Sequence, residues 1–193
     1  METLSLEKYL NAFGEGIVNK AKGILQRRGK GGGSLENSIR FEVTESGDGL
    51  TQDISFYMEN YGKFVDAGVS GAGGVIKSGK HKGSYTGEQT FKNYKDAIVP
   101  SPFRYGSGKS SGSIYKGIGS FIKKKGMQPR NEKGQYQTTV GLKIAIVKVL
   151  WTKGIKGVEF FQKPMSLGLK EFKSKLLTEI KEDIMDEISK QIK

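Results

Sequence analysis

Two alternating stretches either side of a turn constrain this chain most. Ile39, Phe41 and Val43 alternate with Arg40, Glu42 and Thr44, so a strand here has one apolar face and one wet face. Leu50, Ile54, Phe56 and Met58 resume the pattern after Ser46-Gly47-Asp48-Gly49. Asp-Gly is a strong hairpin signal, because both residues tolerate positive φ. The spacing predicts an antiparallel hairpin over residues 38–58. The stretch that follows, Tyr61 to Gly68, is too dense in apolar groups for a free loop.

The flanks read as helices that would cover such a hairpin. Ser5 is a candidate N-cap, and Leu6, Tyr9, Leu10, Phe13, Ile17, Val18, Ala21, Ile24 and Leu25 recur every three or four residues, one broad apolar face. Gly29 and Gly31 to Gly33 mark its end. At the other end of the chain, Pro164 suits a helix start. Leu169, Phe172, Leu176, Ile180, Ile184, Ile188 and Ile192 then repeat at near-fixed spacing. These elements predict an α+β fold: a small antiparallel sheet between an N-terminal helix and a long C-terminal helix. Residues 1–70 and 136–193 form the core domain in this reading. Within it Leu142, Ile146, Val149 and Leu150 lead to a Lys153-Gly154 stop, favouring helix over a buried strand.

Residues 71–135 differ in composition. The formal charge of the 193-residue chain is +12. This window holds 13 Lys or Arg, 3 Asp or Glu, and 13 of the 28 glycines. The reading is a basic, glycine-rich insertion with one short helix at about 114–125 and no regular period from 71 to 113. Tyr85, Phe91, Tyr94, Phe103 and Tyr105 punctuate it and are expected to dock on this subunit or a neighbour. With Tyr61, Phe64, Val65, Phe160 and Phe161 they make the candidate partner surface. Lys77, Lys80, Lys82, Arg104, Lys109, Lys123, Lys124, Lys125 and Arg130 are candidates for DNA phosphates or an acidic partner.

Enzyme chemistry finds little support in the residues. There is no cysteine, and His81 is the one histidine, with no visible partner to orient it as a base or complete a metal site. Gly74 to His81 nearly matches a phosphate-binding loop, but His81 stands where a magnesium-holding hydroxyl belongs, and no helix pattern follows. Glu42, Glu45, Asp48, Asp53, Glu59 and Asp66 read as wet strand or turn positions without reason for a shifted pKa. Val140 to Trp151 is too short to span a bilayer and contains Lys143 and Lys148. The expectation is no catalytic residue, no cofactor, no metal and no membrane.

Three stretches carry a resemblance. Gly33 to Ile39 leads into the hairpin. Tyr57 to Val69 reads aromatic, small residue, aromatic-Val-acid, then Gly. Lys153 to Met165 precedes the long last helix. Together they cover roughly half the chain and resemble the small neck and tail-completion proteins of tailed bacteriophages. The glycine and aromatic richness resembles ring proteins near the portal of podoviruses such as crAss-like phages. Two departures stand out: the long insertion, and Asp66-Ala67-Gly68 where an acid-aromatic-Gly is more usual. The resemblance implies a non-enzymatic virion protein in the neck or tail, assembled in the host cytoplasm. It implies a closed ring, hexamer or dodecamer, around the DNA channel, with portal or other neck and tail proteins as partners. The alternative from composition is a non-specific nucleic-acid-binding protein using the basic insertion.

Overall fold

The computed structural model describes residues 3–45, 52–105, 111–130, 134–135 and 138–191. The fold is α+β, with helices at both ends and small antiparallel strand pairs. It divides into two compact units.

The first unit comprises Met1–Asp66, Lys92–Ile98 and Val158–Lys193. Helix α1 (Thr3–Arg27) begins before Ser5, which lies inside the helix rather than capping it. Its end is closed by Gly29 at φ +64. The Lys30 N–H donates to Leu25 O at 2.9 Å and the Gly29 N–H to Gln26 O at 2.9 Å, the paired closure that a left-handed glycine permits. Helix α2 (Ser34–Ser38) follows. Strands β1 (Arg40–Glu45) and β2 (Gln52–Tyr57) form the expected hairpin, with Phe41 opposite Phe56 and Val43 opposite Ile54. Its turn, 46–51, lies outside the described residues.

The apolar face of α1 covers this hairpin. Val18, Ala21, Leu25, Leu35, Ile39 and Phe160 form the buried cluster, and Phe41, Phe56, Met58, Val65 and Phe161 pack on it. Helix α6 (Gln162–Gln191) runs antiparallel to α1. Its Phe172 ring lies 5.1 Å from Tyr9 and 4.8 Å from Phe13. Pro164 falls in its first turn, where a missing N–H leaves no helix bond unmade.

Helix α3 (Gly62–Ala67) carries the chain into the second unit, Ala67–Phe91 and Val99–Gly157. There β3 (Gly68–Ser70) pairs antiparallel with β8 (Gly154–Lys156), Val69 opposite Ile155. Gly68 sits at φ +77, and a Cβ on it would stand 2.4 Å from the Gly157 nitrogen, so no larger residue fits. Strands β4 (Gly74–Ile76) and β5 (Gly83–Tyr85) make a second hairpin. Strands β6 (Thr90–Lys92) and β7 (Ile98–Pro100) make a third. Helices α4 (Ser111–Lys124) and α5 (Thr139–Lys153) complete the unit.

Two expectations are corrected here. Residues 71–105 are not a structureless excursion but carry β4 to β7. The physical reason lies at the end of α5, whose last carbonyls need donors. The Ala72 N–H donates to Trp151 O at 2.7 Å, the Gly73 N–H to Thr152 O at 3.2 Å, and the Gln89 amide to Lys153 O at 2.7 Å. The glycine-rich arm is the C-terminal cap of α5. For the same reason α5 and β8 group with the insertion, not with the hairpin core as the sequence pattern suggests.

Candidate functional site

Asp66 departs furthest from its expected place. It is 4% exposed, not wet. One carboxylate oxygen accepts the Phe161 N–H at 2.8 Å, the other the Gln162 N–H at 3.3 Å. The Val158 and Glu159 N–H groups donate to Val65 O and Asp66 O at 2.9 and 3.0 Å. Asp66 therefore caps the start of α6 from a distant stretch of chain, the arrangement that the free N–H groups of a helix end favour. Burial outweighs those bonds and pushes its pKa up to about 6, and nearby Glu159 adds to the rise.

Asp96, at the tip of the β6–β7 hairpin, behaves oppositely. It holds φ +66 and pairs with Lys170 at 2.6 Å and Lys92 at 2.5 Å. These ammonium groups, Lys170 first, pull its pKa down to about 2. Two further bonds fix the tip: the Lys92 N–H to Glu159 Oε1 at 3.0 Å and the Tyr94 N–H to Gln162 Oε1 at 2.8 Å.

The aromatics expected to reach a partner divide into two groups. Tyr61, Phe64 and Tyr94 are exposed, with Tyr61 Oη 2.9 Å from Ser34 Oγ. The others are occupied within this chain. Phe160 is fully buried, Phe91 is buried, and Val65 and Phe161 pack on the first unit's core. Phe161 meets Phe56 edge-on at 5.4 Å. Tyr85 lies under the Lys153 ammonium at 4.3 Å and donates its hydroxyl to His81 O. Phe103 is half-buried, and its backbone carbonyl accepts the Ser70 N–H at 2.7 Å. Tyr105 stacks on Trp151 at 6.3 Å, and burial raises its pKa.

The basic candidates stay on the surface. Lys77, Lys80, Lys82, Lys123, Lys124, Lys125 and Arg130 are exposed. Arg104 directs its Nε–H to Gly71 O at 3.2 Å. Lys109 lies outside the described residues. Gly74 to His81 runs from β4 into the β4–β5 turn and opens no helix, so the phosphate-loop match has no anion-binding helix behind it. His81 is exposed, its Nδ1 3.2 Å from Lys153 Nζ. Among the described residues no group of three or more His, Asp or Glu side chains could hold a metal, and no helix is long and apolar enough to cross a membrane.

One surface was not foreseen from the sequence. Helices α4 and α5 enclose a cavity of about 470 Å³, lined on α4 by Tyr115, Gly119, Ile122 and Lys123 and on α5 by Val140 and Lys143. The Lys143 ammonium sits 3.6 Å from the Tyr115 ring centroid and bridges the two helices. Of the cavity's lining residues Tyr115, Met127 and Val140 are exposed, as are Phe121 and Ile144 on the same two helices. The apolar spacing of both helices was legible, but their partners were not. The chain finds no match among protein-family models, curated proteins or solved structures.

Proposed function

We propose that this chain is a structural, non-enzymatic protein of a tailed-phage virion, building a closed ring in the neck or head–tail junction around the DNA channel. One observation carries the reading. Two of the three stretches that carry the family resemblance, 57–69 and 153–165, are far apart in sequence yet knit together. Val65 and Asp66 hold the backbone of 158–162, and β3 pairs with β8. Resemblance that falls on mutually bonded segments is what a shared fold would produce. A structured insertion takes away the argument from a mobile arm, so the ring reading rests on this knot and on apolar surface left uncovered on α4 and α5. The ring would be a hexamer or dodecamer, its partners the portal or other neck and tail proteins. Mass spectrometry and electron microscopy of purified virions test the proposal: the chain is expected in the particle as a ring, and its absence overturns the assignment.

A second reading has its own observation. Lys77, Lys80 and Lys82 crowd the exposed β4–β5 turn, a fit for phosphates. A channel ring would meet DNA as well, so the readings are compatible.

A further inference from the structure

We infer that the groove between α4 and α5 receives the C-terminal half of α6 from a second copy of this chain. The inference deepens the ring reading and rests on it only in requiring copies of the chain to meet.

Helix α5 needs a cover. Nine of its fifteen residues are apolar, spread round the helix, and such helices belong in an interior. Yet Thr152 is its one buried residue, while Val140 is 56% and Ile144 52% exposed. On α4, Tyr115 and Phe121 are 37% and 43% exposed. The groove between the two helices is lined by Tyr115, Ile122, Met127 and Val140 together with Lys123 and Lys143. Residues 111–153 carry nine Lys or Arg against one acidic residue, Glu132. Among the described residues, the two lysines that line the groove, Lys123 and Lys143, have no carboxylate partner.

The occupant must be amphipathic and acidic, and α6 supplies it. Leu177, Ile180, Ile184 and Ile188 recur at helical spacing. Residues 179–188 hold five acidic residues, Glu179, Glu182, Asp183, Asp186 and Glu187, against Lys181 alone. A basic apolar groove and an acidic apolar helix on one chain are unlike surfaces, and unlike faces joined head to tail are what close a ring. A groove-to-groove dimer would set Lys123 and Lys143 of one copy against those of the other. Duplex DNA would leave Val140 and Ile144 uncovered.

The test is a charge exchange in the full chain, read by light scattering and by helix content. Reversing the helix (Glu179→Lys, Glu182→Lys, Asp183→Lys, Asp186→Lys) is expected to weaken self-association by about a hundredfold or more. Reversing the two lysines that line the groove (Lys123→Glu, Lys143→Glu) should do the same. The chain carrying both sets should assemble again. Assembly that survives either single reversal overturns the inference and leaves the ring reading standing. So does a doubly reversed chain that folds yet stays monomeric. A wild-type chain that is monomeric at every concentration also overturns it, and the virion measurement then decides the ring reading separately. If groove reversal abolishes flotation with phosphatidylserine vesicles without changing the assembled mass, the groove belongs to lipid and the inference fails.

Discussion

Asp66 concentrates the physics of a single residue. Its carboxyl titrates near 6 instead of the usual 3.8 because it is buried, although two N–H groups face it. The folded state thus holds this proton more tightly than the unfolded state. Stability from this group is full below about pH 4 and is lost as pH rises towards 6, by about 3 kcal/mol at 1.36 kcal/mol per unit. Urea midpoints should fall over that interval, and Asp66→Asn should flatten the fall. A variant that keeps the wild-type slope would remove Asp66 as its source. Asp96 acts with the opposite sign: paired with Lys170 and Lys92, it contributes above its unfolded pKa, and that contribution fades as pH drops towards 2. The two windows lie on either side of pH 4, so a single titration separates them. In the same core, Phe160→Ala empties a fully buried ring site and should cost about 3–5 kcal/mol by denaturant unfolding.

At the scale of elements, the glycine-rich arm and α5 depend on each other. The arm is ordered because it donates to carbonyls that α5 cannot satisfy by itself. Gly68 permits a close approach in this region, its Cβ position blocked by the Gly157 nitrogen and Ile155 oxygen. Gly68→Ala should therefore open the β3–β8 pair, seen as faster amide exchange at Val69 and Ile155, with β1 and β2 protected as before. Equal loss of protection in β1 and β2 would contradict the two-unit division. On α5 the reverse is expected. Ile144 is about half exposed, so Ile144→Ser should change unfolding by no more than about 0.5 kcal/mol, whatever it does to association.

At the scale of the whole molecule, charge is the governing quantity. A net +12 favours polyanions over any distance that salt does not screen. If the β4–β5 turn meets DNA, replacing Lys77, Lys80 and Lys82 with Ala should reduce the slope of log K against log salt by about 2–3, near 0.9 for each phosphate no longer neutralised. An unchanged slope would place any DNA binding elsewhere, Lys123 to Lys125 being another exposed cluster.

The sequence by itself determined the elements whose signals are local. The period of α1, the alternation of β1 and β2, the Lys-Gly end of α5 and the repeat along α6 each follow from side chains a few residues apart. An α+β class could therefore be read directly. Only the tertiary structure decided the fate of groups whose partners are remote. Asp66 looked wet because the residues that bury and bond it, Phe161 and Gln162, are some ninety-five positions away. Residues 71–105 looked formless because their order comes from the carbonyls of α5, not from any period of their own. Phe160 and Tyr105 stood among the candidate partner-surface aromatics, since composition cannot tell whether a ring meets its own core or another molecule. Local spacing is written in the chain, whereas burial and long-range hydrogen bonds exist only once distant segments have met.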